Sequence, residues 1–172
     1  MKKLIVLTGP ESTAKSTLSK QLANHFGGRD FPEFARNYLS GKTGEYGYED
    51  VEAITRGQLA QYDEAMADKA EYQFFDTWLI VTKVWFDWVY KRQPLWLEPA
   101  ITDHPVNLYL LCKPDIPWEP DPLRENGGEV RSKLYDIYKQ EFQKRNLSFL
   151  EIGGEGDDRL KNAIDAINNF RF

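Results

Sequence analysis

The chain of 172 residues has one cysteine, Cys112. A single thiol allows no internal disulfide, and its place in the apolar run LYLLC marks it as a buried, inert side chain. Histidine is nearly as scarce. His25 and His104 stand alone, and no His/Cys cluster offers the spacing of a zinc site. Positive charge is short as well: 22 Lys and Arg face 27 Asp and Glu, for a net charge of -5. That balance argues against non-specific nucleic-acid binding, which needs a basic face. An acidic protein that binds phosphates must gather its cations locally. Long apolar runs are absent too. The opening MKKLIVLTGP imitates a leader, but its apolar run lasts only from Leu4 to Leu7, short of the roughly 7–15 residues a leader needs. The stretch from Trp78 to Tyr90 is interrupted by Lys83 and Asp87 and is well below the roughly 20 residues of a membrane span. These absences predict a cytoplasmic protein with neither nucleic acid nor membrane as partner.

What the sequence does contain is an alternation of short β-type runs and longer helical stretches. KLIVLT (Lys3–Thr8), YQFFD (Tyr72–Asp76), NLYLLC (Asn107–Cys112) and SFLEI (Ser148–Ile152) read as strands, and RDFPEFARNYL carries a short extended piece and then a short helix. Longer helices are expected over Lys15–Phe26, Glu49–Ala70, Thr77–Tyr90, Glu129–Arg145 and Asp157–Phe170. The pattern predicts one α/β domain over residues 1–172, three-layered, with a mainly parallel five-stranded sheet. The Pro- and Gly-rich segment around 113–128 exceeds ordinary loop length, and loops that long are usually lids or disordered. A lid over about 113–131 is expected.

The most informative stretch is LTGPESTAKSTL. Gly9 through Ser16 fits G-x-x-x-x-G-K-[ST] except that Ala14 stands for the second glycine. The context is that of a phosphate loop, with an apolar strand before it and a helix after it. Backbone N–H groups of Gly9, Glu11, Ser12, Thr13 and Ala14 would wrap phosphate oxygens, and the helix would aim its positive end at them. Lys15 would reach the β- and γ-phosphates, Ser16 would ligate Mg²⁺, and Thr17 lies beside it. Ala14 still offers its N–H. Its methyl matters only if the backbone there has positive φ, at a cost on the order of 1 kcal/mol. The plain structural alternative is a strand-to-helix turn capped by Ser12 or Thr13. Glu11 sits oddly among anion-binding groups, and reads either as an acceptor for hydroxyls or as a partner for an arginine.

FFDT ends a strand with Asp76, where open α/β sheets place ligands. A carboxylate there can hold Mg²⁺ or accept a hydroxyl proton; the alternative is a helix N-cap. The lid segment brings Arg124 and Arg131, suited to stabilising charge on a transferred phosphoryl group, with Asp121 to orient one of them. The alternative is a solvated loop with surface ion pairs. Glu33 and Arg36 sit together in PEFAR. Trp78, Trp85 and Trp88 fall near one face of a helix, which means either core or an aromatic wall for a flat, cationic ring. Tyr46, Tyr48 and Trp118 could join such a wall.

TGPEST-A-KSTL, PEFARNYL, FFDT before an aromatic helix, and LLCKPDIPWEPDPLREN, in this order, resemble the ribosylnicotinamide kinase domain of the NadR-like group. That is a P-loop kinase-like family also described as AAA-type ATPase-like, and the resemblance spans roughly Lys3 to Phe149. It implies a P-loop NTPase fold and ATP-dependent phosphorylation of nicotinamide riboside to the mononucleotide, with Mg²⁺. It also implies a phosphate and metal site at Gly9, Lys15, Ser16 and Thr17. Asp76 would lie near the acceptor 5′-hydroxyl, with Asp121 and Arg124 in the lid and Glu33 and Arg36 near the nucleoside. Ala14 departs from the family's loop glycine, and Trp78 stands where members often carry a second acid. The further nucleotidyl transferase and DNA-binding parts of the larger proteins are not expected of these residues. An ATP-binding sensor without turnover, or a kinase for another nucleoside, are the competing readings. A homo-oligomer is left open.

Overall fold

KLIVLT is rich in residues that suit a strand buried on both faces, and in the computed structural model, which describes all 172 residues, it forms the central strand β1 (Lys3–Thr8). Beside it run β2 (Arg29–Phe31), β3 (Tyr72–Asp76), β4 (Leu108–Cys112) and β5 (Phe149–Ile152), in the order β2-β3-β1-β4-β5. Every pairing is parallel. Alternate side chains of β1 feed opposite faces, as the two-residue period of a strand requires. Ile5 and Leu7 pack under α1 (Lys15–Phe26) and α7 (Gly156–Asn169), against Leu18, Leu22, Ala163 and Ile167. Leu4 and Val6 face the larger core on the other side, built by α3 (Tyr48–Ala67), α4 (Leu79–Trp85), α5 (Leu97–Asp103) and α6 (Gly128–Lys144). The short α2 (Phe34–Ser40) lies against α3. This is the expected three-layer α/β architecture.

Register fixes the site. Leu7 lies opposite Asp76 on one side and Leu110 on the other, so the carboxyl ends of β1, β3 and β4 emerge together. In open parallel sheets that edge is where ligands bind. No helix is long and apolar enough to cross a membrane.

Some boundaries differ from expectation for local reasons. The helix expected to run to Ala70 ends at Ala67, because Asp68 turns its carboxylate back onto the N–H of Ala70 at 2.8 Å. The helix α5 was not expected at all. It carries Pro99 in its first turn, where a missing N–H is harmless, and buries Leu97, Ala100 and Ile101. The aromatic helix starts at Leu79 rather than Thr77, since Thr77 is left-handed (φ 68) and Trp78 extended. It widens into a π-turn over Phe86–Tyr90, which closes on left-handed Lys91. The segment between Cys112 and α6 holds no regular element.

Candidate active site

The loop between β1 and α1 starts at Gly9, with φ 153. A Cβ there would sit 2.7 Å from the carbonyl of Cys112, so only glycine lets the chain cross the end of β4. Further on, Ser12 (φ 58) and Ala14 (φ 61) are both left-handed. The alanine therefore takes the costly conformation, at about 1–2 kcal/mol for each such L-residue. Neither Ser12 nor Thr13 caps α1. The cap position is Ala14, with no side-chain bond to the helix. Thr13 is buried, and its hydroxyl donates to the Pro10 carbonyl at 2.9 Å. The Ser12 hydroxyl accepts the N–H of Glu119 at 2.9 Å. The positive end of α1 is left facing the loop, as an anion site requires. Lys15 rests its ammonium on the Pro10 carbonyl at 2.8 Å, and Thr17 is exposed.

Asp76 ends β3 directly beside this loop. The Ser16 hydroxyl donates to its Oδ2, while Oδ1 is buried with no partner. The residue is 2% exposed. Burial, with Glu33 repelling from nearby, pushes its carboxyl up to about 6 against the pull of Lys15 and Ser16. It is no N-cap: Trp78 occupies the cap position of α4. Thr77, next along, lines the cleft in a conformation unusual for a β-branched residue. Strain of that kind gathers at functional sites.

A cleft of about 850 Å³ opens from the loop, a size suited to a small-molecule ligand. Gly9, Glu11, Lys15 and Glu33 line it, as do Tyr46, Trp85 and Trp88. Glu33 precedes α2, and Arg36 on that helix pairs with Asp121 of the 113–127 segment at 3.0 Å and with Glu33 at 3.7 Å. The N–H of Leu123, then Arg36, hold the Asp121 carboxyl below the usual range. Tyr46 stands edge-on to Trp85 with centroids 5.1 Å apart, and its hydroxyl donates to Glu125 at 3.0 Å. Burial, then that carboxylate, raise the Tyr46 phenol to about 12. Cys112 is fully buried, and burial pushes its thiol up to about 11, in keeping with an inert group.

Six expectations need correction. Trp78 is in the core, 2% exposed and stacked on Tyr62, because it precedes the helix whose face it was assumed to share. The π-turn instead presents Trp88 to the cleft. Trp118 packs over Gly127, with its indole N–H buried and unpartnered, and does not line the cleft. Likewise Tyr48 packs on Phe86 and Tyr90. Asp121 orients Arg36, not a lid arginine side chain; Arg124 reaches the Ser12 hydroxyl at 3.3 Å and the Glu119 carbonyl at 2.5 Å. Arg131 is buried with its donors on the carbonyls of Glu11, Ser12 and Ile116, so it cannot follow a phosphoryl group. Glu11 takes neither expected role, as its carboxylate accepts the N–H groups of Glu125 (3.2 Å) and Asn126 (2.9 Å) and so fastens the 113–127 segment over the loop.

Sequence reasoning missed Arg159. It pairs with Asp115 and donates to the carbonyls of Thr13 (3.2 Å), Lys113 (3.2 Å) and Gly154 (2.8 Å). A signal was present, since Arg159, Ala163 and Ile167 form the buried stripe of α7 at helical spacing.

The AAA domain family matches the chain over residues 4–159. Among curated proteins, the chain is 25% identical over 169 residues to the trifunctional NAD biosynthesis/regulator protein NadR of Escherichia coli (strain K12), covering 95% of this chain and 41% of that protein. The NadR protein of Salmonella typhimurium is 26% identical, with the same coverage. The chain thus spans about two fifths of the length of these relatives. Among solved structures, NadR in complex with NR superposes with a TM-score of 0.83 at 24% identity, covering 97% of this chain and 51% of that one. A deoxyadenosine kinase from M. mycoides does so with a TM-score of 0.69 at 12% identity, covering 99% and 100%. Both show the shared fold.

Proposed function

We propose that the chain, which belongs to the AAA domain family, is an ATP-dependent kinase that phosphorylates the primary hydroxyl of a nucleoside, with nicotinamide riboside as acceptor. The observation that carries the reading is the contact between Ser16 and Asp76 beside Lys15, which itself lines a cleft shared with Tyr46, Trp85 and Trp88. Phosphoryl transfer asks a protein chiefly to position reactants and stabilise charge. Lys15 and the first turn of α1 would bind the ATP phosphates, with Gly9, Ser12, Thr13, Ala14 and Thr17 completing the loop. The Ser16 hydroxyl and the Asp76 carboxylate are hard oxygen donors in contact, and Asp76 keeps one buried oxygen without a partner. That set fits Mg²⁺. When bound there, the ion would neutralise charge on the phosphates.

The chain's own residues account for the rest. Where Asp76 does not hold the ion, its carboxyl near 6 is poised to take the acceptor's hydroxyl proton near neutral pH, and Oδ1 is the one oxygen free for either role. Glu33 and Arg36 would seat the ribose. Residues 113–127 would act as the lid, which stops short of 131 because α6 starts at Gly128; Glu11 already fastens it, and Arg124 is its cation at the phosphate loop. In the cleft wall, Tyr46, Trp85 and Trp88 suit a flat ring, and aromatic faces attract a cation. Glu33 and Glu125 add negative charge to the cleft lining. A pyridinium nucleoside meets all three conditions. The relatives named above are consistent with a part in NAD biosynthesis.

A coupled assay of ADP release with Mg-ATP tests this, using nicotinamide riboside and deoxyadenosine as rival acceptors and Lys15→Ala as control. Release that requires the riboside and disappears in the variant supports the reading. Preference for deoxyadenosine would reassign the acceptor. ATP binding with no release for any acceptor would favour the sensor reading, which the strained Ala14 also favours.

A further inference from the structure

The phosphate loop carries two non-glycine residues in the left-handed region, Ser12 and Ala14. Such conformers persist only where the surroundings over-determine them. Two arginines from outside the loop supply that constraint. Arg131, at the start of α6, donates from Nε to the Glu11 carbonyl at 3.0 Å and from Nη2 to the Ser12 carbonyl. Arg159, at the start of α7, donates from Nη1 to the Thr13 carbonyl at 3.2 Å. Three successive carbonyls therefore point into guanidinium groups. All peptide bonds are trans, and in a planar trans peptide the N–H points opposite to the C=O. The N–H groups of Ser12, Thr13 and Ala14 are thus turned the other way, and no backbone carbonyl takes those of Ser12 and Ala14.

The arginines are themselves fixed. Arg131 is 7% exposed and also holds the Ile116 carbonyl at 2.7 Å. Arg159 is 2% exposed and braced by Asp115 and by the carbonyls of Lys113 and Gly154. A planar guanidinium fork can hold several carbonyls at set angles, which a lysine ammonium cannot.

We infer that Arg131 and Arg159 are positioning residues for phosphate binding. They draw the carbonyls of residues 11–13 away from the phosphate side, preset the N–H cradle, and hold Ala14 in the conformation that glycine would adopt unaided. Their donors are engaged by protein oxygens, so they act through the loop rather than on the phosphate. The inference rests on the phosphate-site reading above and extends it to two side chains outside the loop pattern.

The test is calorimetric titration of Mg-ATP into the full chain carrying Arg131→Lys or Arg159→Lys, each with and without Ala14→Gly, with thermal melts alongside. Each lysine variant is expected to weaken ATP binding about ten-fold. Adding Ala14→Gly should recover a substantial part of that loss, because glycine takes the left-handed conformation without side-chain strain. A general weakening of the fold would lower the melting temperature without any such rescue. If Arg159→Lys does not melt cooperatively, Asp115→Asn, which loosens Arg159 without removing it, should give a smaller loss with the same rescue. ATP affinity unchanged in the lysine variants, or equal losses in both backgrounds, overturns the inference. A parent chain that binds no ATP overturns the phosphate-site reading itself, and the inference with it.

Discussion

Removing the charge of Asp76 should make the resting protein more stable while destroying its activity. The carboxylate is 2% exposed, one of its oxygens has no partner, and Glu33 and Asp30 repel it. The folded-state value of about 6 lies above the ordinary 3.8. The folded protein thus binds this proton more tightly than the unfolded chain. The ionisation penalty is therefore absent below about pH 4 and grows as pH rises through 6. At roughly 1.36 kcal/mol per unit, the ionised group costs about 3 kcal/mol at pH 8. Asp76→Asn keeps the shape and the bond from Ser16 but still buries a polar amide, so the net gain should be about 1–3 kcal/mol. For a domain of this size that is about 3–10 °C in melting temperature. The assay is thermal unfolding of both proteins without nucleotide, in chelator, at pH 8 and pH 4.5. The gap should be present at pH 8 and nearly closed at pH 4.5, where the wild-type carboxyl carries its proton. Kinase turnover should fall at least about 100-fold. An equal gap at both pH values, or a variant that melts lower at pH 8, would refute the electrostatic reasoning.

Two tryptophans that look alike in sequence should part in their effects. Trp78→Ala should cost about 3–5 kcal/mol of stability by opening a core cavity, measured by urea unfolding. Trp85→Ala should instead raise the acceptor KM with a smaller stability loss, measured by steady-state kinetics and the same unfolding curves. Glu11→Ala removes the acceptor for the N–H groups of Glu125 and Asn126, each such bond contributing about 1 kcal/mol. Trypsin should then cut after Arg124 several-fold faster without nucleotide, with the melting temperature lowered by at most several degrees; an unaltered digestion rate would show that Glu11 does not fasten the lid.

The sheet was legible because its strands are written in short apolar runs, and a parallel strand covered on both faces needs little else. The phosphate loop was legible because Lys15, Ser16 and Gly9 have no packing reason to stand at that spacing. What stayed hidden depended on backbone direction. Trp78 shares a spacing with Trp85 and Trp88 but precedes the helix, so periodicity left core and cleft wall undecided for all three and could not separate Trp78 from the others. The π-turn at Phe86–Tyr90, which moves Trp88 into the cleft, has no sequence mark that simple periodicity detects. Arg131 and Glu11 were read as chemical groups because charged residues near a phosphate loop invite that reading. Their partners are backbone atoms far off in the chain, at Ile116, Glu125 and Asn126, and no local pattern announces them. Arg131 and Arg159 each begin a buried helical stripe, at Leu134 and Tyr138 in one case and Ala163 and Ile167 in the other. An arginine on the apolar side of a helix was the available clue to both.

The central claim is that this cleft moves a phosphoryl group from ATP to a nucleoside hydroxyl. The most direct measurement is transfer of label from γ-labelled ATP to nicotinamide riboside by the purified chain in the presence of Mg²⁺, with the product identified by mass. The account predicts a mononucleotide labelled at its 5′-phosphate, formed by the wild type and by neither Lys15→Ala nor Asp76→Asn. Label that remains in ATP, or passes only to water at a rate indifferent to the riboside, would contradict it.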